Sequence, residues 1–175
     1  ALVGAGADEV HLLATREVPG AISHPDEASL LRNLAARIRA LDPDVITGWN
    51  VVDFDFAVLV ARASALGVAF EIGRAPGEIG LARDGSFTRQ RRAEIPGRVV
   101  LDGMALVRDA SIALDDYSLE TASRTLLGRG KRIAKTGGNP AREILRMYRD
   151  ETEAFVAYNR EDAVLVLEII HRESL

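Results

Sequence analysis

The 175-residue chain contains no cysteine. Disulfides and thiolate-held metals are therefore excluded, and any metal must be bound by carboxylates or by the three histidines. Carboxylate oxygens suit hard cations of the Mg²⁺ or Mn²⁺ type. No stretch approaches the ~20 apolar residues that a membrane-crossing helix needs. The first residues lack the basic, apolar and small-residue blocks of a signal peptide. These absences lead us to expect a soluble, intracellular protein. A positive balance is missing too, because 22 Lys and Arg against 26 Asp and Glu leave a formal net charge of −4. The chain thus lacks the basic field of a stand-alone DNA-coating protein, and any nucleic acid must be met by local patches. What is present is 47% hydrophobic residues, enough for a sizeable core, at a length in the range of one domain. The opening run Ala1-Leu2-Val3-Gly4 is already strand-like and has no initiator Met, and His171 to Leu175 break off just past a helical pattern. We expect a piece of a longer chain.

Residues 1 to 4 and 9 to 14 suggest two short strands in a hairpin around Gly4 to Asp8. From Asp26, the apolar residues Leu31, Leu34, Ile38 and Leu41 recur at helical spacing, which predicts an amphipathic helix ending before Pro43. The run Asp44 to Gly48 suits a strand buried on both faces, followed by a helix from about Asp53 to Leu66 with Gly67 past its end. Phe70 to Gly97 is rich in Gly and Arg without helical periodicity, so a basic hairpin inserted at about 70–98 is expected before a second buried strand at 98 to 102. Ser118 can cap a helix that stops at Gly128. A basic loop over 129 to 138, a short helix near 140 to 149 and a long one from about Glu151 to Arg172 complete the chain. Strands alternating with helices indicate one α/β domain over 1–175, a mixed sheet flanked by helices.

Two places break these patterns. In the last helix the apolar stripe Phe155, Tyr158, Asp162, Leu165, Ile169 has a carboxylate where the spacing demands a core residue. Burying an unpaired carboxylate costs several kcal/mol, so Asp162 should be protonated, paired or bound to a cation. Tyr158 lies one turn earlier on the same face, ~6 Å along the axis and turned by about 40°. Alone, the pair also reads as an ordinary Tyr-Asp contact. The second place is Trp49-Asn50-Val51-Val52-Asp53-Phe54-Asp55, directly after the strand at 44 to 48. Ligands bind beyond the carboxyl ends of strands in open α/β sheets, and a helix N-terminus adds positive potential there. Alone, Asn or Asp before a helix is a cap, a role we expect Asp53 to fill, leaving Asp55 for other work. The basic stretches Arg83, Arg89, Arg91, Arg92 and Arg98 with Phe87, and Arg129, Lys131, Arg132 and Lys135, could hold phosphates or be solvated surface.

Together these segments resemble the exonuclease domain of family B DNA polymerases, with the run closest to the bacterial DNA polymerase II type. Asp42-Pro43-Asp44-Val45-Ile46-Thr47-Gly48-Trp49-Asn50 leading to Phe54-Asp55 is similar to that family's Asn-x-x-x-Phe-Asp motif, and Tyr158-Asn159-Arg160-Glu161-Asp162 to its Tyr-x-x-x-Asp motif. Leu101-Asp102-Gly103, Tyr117 to Thr121 and Leu126-Leu127-Gly128 resemble the segments between them. The resemblance implies a ribonuclease-H-like fold of the DnaQ exonuclease type and a 3′ to 5′ proofreading exonuclease with two divalent metals, Mg²⁺ or Mn²⁺. Its implied partners are a single-stranded or frayed DNA 3′ end and the polymerase domains of a parent chain, in a bacterial cytoplasm at the nucleoid. It implies that Asp162 and Asp55 ligate metal, Tyr158 orients the attacking water, Asn50 contacts the terminal nucleotides and Phe54 packs against an unpaired base. The family's Asp-x-Glu motif, on the first strand, has no match here. We therefore expect a fold lacking that strand and a piece close to inactive by itself, the alternative being a catalytically dead structural or nucleic-acid-binding module.

Overall fold

The computed structural model describes residues 1–83, 91–130 and 140–175. In chain order the elements are β1 (Leu2–Gly4), β2 (Ala7–Glu9), β3 (His11–Leu13), β4 (Ile22–His24), α1 (Glu27–Leu41), β5 (Val45–Gly48), a π-helical turn over Val51–Phe56, α2 (Ala57–Leu66), β6 (Gly80–Arg83), β7 (Arg91–Glu94), β8 (Val99–Asp102), α3 (Gly103–Asp109), α4 (Leu119–Ala122), a second π-helical turn over Ser123–Leu127, α5 (Pro140–Asp150) and α6 (Thr152–Glu173). This is a mixed α/β protein. Among the described residues its ladders are two strands each: β1 with β2 and β6 with β7 antiparallel, β3 with β4 and β5 with β8 parallel. The chain divides into two units, Ala1–Pro25 with Leu114–Leu175, and Asp26–Ala113.

In the first unit, β1 and β2 form a hairpin whose turn needs positive φ at both Ala5 and Gly6. The expected hairpin partner at 9 to 14 is corrected. Its first residue, Glu9, ends β2, and β3 leaves to pair with β4, a strand the sequence did not announce. Val10, Leu12 and Val18 are buried against Val156 of α6, with Tyr148 and Phe155 packed beside them edge to face at 5.6 Å. Tyr148 donates its hydroxyl to the Leu13 carbonyl at 2.6 Å, tying α5 to β3. Leu165 and Ile169 of α6 are fully buried, as the stripe predicted. Ser118 caps α4 through a bond from the Thr121 amide at 3.2 Å, and Gly128 ends the following π-turn in a left-handed conformation.

In the second unit, Asp26 caps α1 by accepting from the Ser29 amide at 2.7 Å, and Leu31, Ala35 and Ile38 form the buried stripe. Asp42 ends the helix in a left-handed conformation. The β5 and β8 strands are not buried on both faces as expected: Val45 and Val99, opposite each other in the ladder, are 45% and 54% exposed. Arg98, at the foot of β8, is buried. Its guanidinium donates to the Ile72 carbonyl at 2.7 Å, to Asp42 at 2.9 Å and to the Pro43 carbonyl. Arg74 adds ion pairs at 2.7 Å to Asp42 and to Asp44. No helix among the described residues is long and apolar enough to cross a membrane.

Candidate functional site

The ladder of β5 and β8 ends on the pair Gly48 and Asp102. Beyond it the chain turns sharply: Asn50 takes a left-handed conformation with φ 58° and ψ 34°, and Val51–Phe56 winds as a π-helical turn into α2. Such wide turns concentrate at functional sites because they re-aim side chains that a regular helix would align. The expected role of Asp53 as the cap is corrected. The cap position falls on Asn50, which makes no side-chain cap bond, and Asp53 lies within the first turn. Gly48 has to be small, since a Cβ there would come within 2.9 Å of Val51 Cβ.

The turn splits its side chains in two directions. Val51, Val52 and Phe56 are buried, whereas Phe54, at 63% exposed, and Asp55 face water. Asn50, Phe54 and Asp55 are thus brought together on one turn at the carboxyl end of a parallel ladder. The Asp55 carboxyl is raised from its ordinary value, first by desolvation and then by the negative charge of Asp102. By surface area the residue is exposed, so its carboxyl keeps a path to water while lying among protein atoms. A carboxylate destabilised in this way is relieved by a bound cation. Asp102 itself accepts from the backbone amides of Val52, Met104 and Ala105.

In the other unit Tyr158 and Asp162 lie one turn apart on α6, both half-buried, and one Asp162 carboxyl oxygen is fully buried. Their flanks are fastened by ion pairs from Arg160 to Asp8 and from Arg129 to Glu161, the latter at 2.5 Å, and to Glu168. Among the described residues no group of three or more carboxylates or histidines is gathered closely enough to hold a metal. Asp55 in one unit and Asp162 in the other are each a hard oxygen donor of the kind that Mg²⁺ and Mn²⁺ prefer.

The phosphate-holding readings are partly corrected. Arg98 is a buried structural cation, and Arg129 is held between Glu161 and Glu168. Phe87, Arg89, Lys131, Arg132 and Lys135 lie outside the described residues.

Comparison with known proteins now decides the family. The model of the DNA polymerase family B exonuclease domain matches residues 8–122. The chain belongs to this family. DNA polymerase II of Escherichia coli (strain K12) is 34% identical over 149 residues, 83% of this chain and 18% of that polymerase. DNA polymerase 1 of Pyrococcus abyssi is 31% identical over 145 residues, 82% of this chain and 18% of its own length. A DNA polymerase of Desulfurococcus sp. (strain Tok) is 30% identical over 155 residues, 87% of this chain and 19% of its own. This family B exonuclease domain therefore spans about a fifth of the length of the polymerases it matches. Asn50, Phe54 and Asp55 fall within the matched 8–122, and Tyr158 and Asp162 beyond it.

Proposed function

We propose that the chain is the 3′ to 5′ proofreading exonuclease domain of a DNA polymerase, with the ribonuclease-H-like arrangement of that class, and that it hydrolyses the terminal phosphodiester of a frayed or single-stranded DNA 3′ end. The observation that carries this reading is the π-helical turn after β5, which presents Asn50, Phe54 and the raised carboxyl of Asp55 together in a chain of the family B exonuclease domain.

Each residue then has a task that its chemistry suits. The exposed Phe54 ring stacks on an unpaired base, a contact open to any sequence. The Asn50 amide, held at the mouth of the turn, donates to the terminal nucleotide. Asp55 and Asp162 supply oxygen ligands, and the Tyr158 phenol, one turn from Asp162, orients the attacking water. Divalent cations, when bound, offset charge on the attacking and leaving oxygens. Two aspartates are a thin ligand set. The 175 residues alone are therefore expected to bind metal weakly and to cleave poorly, and extension with an Asp-x-Glu strand is expected to restore activity.

The test uses a polymerase-length chain carrying these residues, Mg²⁺ and a single-stranded or mismatched primer. Asp55→Ala and Asp162→Ala should each lower cleavage by about a thousandfold or more, since metal stabilisation of the transition state is worth several kcal/mol. The double variant should be little worse than either single one, as befits groups acting as a unit. An unaltered rate in either single variant would remove the reading.

A further inference from the structure

We infer that Asp102 is a positioning residue for the catalytic turn, holding the backbone that carries Asn50, Phe54 and Asp55 in place. The inference rests on the nuclease reading above and adds to it a residue outside the ligand set proposed there.

The two oxygens of the Asp102 carboxylate have separate duties. Oδ1 accepts from the amides of Met104 at 3.1 Å and Ala105 at 3.2 Å, capping α3. Oδ2 accepts from the amide of Val52 at 3.3 Å, fifty residues away along the chain. A helical segment begins with amides that have no partner inside it. At the turn over Val51–Phe56 the local cap residue, Asn50, offers no side-chain bond. An aspartate on the neighbouring strand supplies the acceptor instead. Asp102 stands opposite Gly48 on the last rung of the ladder, so this bond crosses from one strand end to the first turn of the segment leaving the other. One carboxylate thereby fixes where α3 starts and where the catalytic turn starts. Asp55 lies three residues beyond Val52 on that turn, and its position follows from this anchor.

The division of labour makes a selective variant available. In Asp102→Asn the amide oxygen still accepts from Met104 and Ala105, and Asn caps helices as well as Asp does. The side-chain amide nitrogen is a donor and cannot accept from the Val52 N–H. The α3 cap survives while the tie to the catalytic turn is lost.

The experiment compares wild type, Asp102→Asn and Asp55→Ala in a polymerase-length chain. Hydrogen exchange of peptides spanning 49–56, measured with no metal added, should quicken by about tenfold in Asp102→Asn, the scale of one lost charge-assisted bond. The Mg²⁺ concentration for half-maximal cleavage should rise by about tenfold, with the rate recovering at saturating Mg²⁺, as happens when a group orienting a metal ligand is removed. Polymerase activity and thermal midpoint, which report folding, should stay near wild type. Asp102→Ala, which loses both duties, should lower the thermal midpoint as well. Unchanged exchange and unchanged Mg²⁺ dependence in Asp102→Asn, with Asp55→Ala inactive, would overturn the positioning role and leave the nuclease reading intact. Full cleavage by Asp55→Ala would overturn both.

Discussion

At Gly48 an added methyl would approach Val51 Cβ to 2.9 Å and Cγ2 to 3.0 Å. The closer atom is the stem of the Val51 side chain, which no rotamer change can move, so the entry to the π-helical turn must shift. Gly48→Ala should destabilise the protein by about 1–3 kcal/mol, the usual cost of overpacking, read as a lower urea midpoint. Val51→Ala should not relieve it, because the clashing Cβ remains. The sequence singled out Asp162 because a carboxylate interrupts an apolar stripe, and Asn50 and Asp55 because they follow the carboxyl end of a strand. It placed Asp102 in a segment resembling the family but gave the residue no role. An aspartate between a strand and a helix looks like any cap, and only coordinates reveal that its second oxygen reaches Val52, fifty positions away. Asp53 misled for the mirror-image reason, since capping letters do not say which residue starts the turn.

Among the elements, β3 and β4 carry the clearest pH response. His11 and His24 stack at 5.2 Å between ring centroids, with His11 Nδ1 and His24 Nε2 3.0 Å apart, and Glu9 is 3.5 Å from His11. The His11 pKa is lowered from its ordinary 6.5, mainly by desolvation, then by the charge of His24 and, more weakly, by the N-terminal ammonium, against an opposing pull from Glu9. Its folded value is depressed, so the unfolded chain takes up a proton first. The stability tied to neutral His11 is fully present above 6.5 and drains away as pH falls through the lowered folded value. Urea midpoints at pH 7.5 and pH 5.5 should differ in that sense, and His11→Gln should flatten the difference. Elements were legible in proportion to their periodicity. Fifteen residues in α1 and 22 in α6 give several turns of pattern. The three residues of β4 and seven of α3 give almost none, and a π-helical turn has a repeat that no 3.6-residue template detects. Val45 and Val99 show the remaining weakness: an apolar run reads as buried whether or not anything covers it.

For the whole molecule, family membership rests on residues 8–122, and the mixed α/β class foreseen from alternating strands and helices is present. A single flanked sheet was expected, and the described ladders are two strands each. Strand order was not legible because pairing partners lie far apart in sequence, as β5 and β8 do. Ion pairing was equally hidden: Arg98 looked like one more surface cation until its burial was seen. Arg98→Met should cost about 1–3 kcal/mol for the buried Ile72 carbonyl left without a donor, with a smaller loss at the part-buried Pro43 carbonyl. Its thermal midpoint should fall further than that of an Arg146→Met variant, whose exposed ion pairs contribute little.

That guanidinium also acts at a distance. It bolts together the entrances of β5 and β8, and it lies four residues before Asp102, or ~13 Å along the strand. A slip of one residue in the ladder would swing the Asp102 carboxylate to the opposite side. The basement rivet thus keeps the upper storey in alignment, and a defect there should blunt the proposed DNA cleavage at temperatures where the rest of the protein still stands.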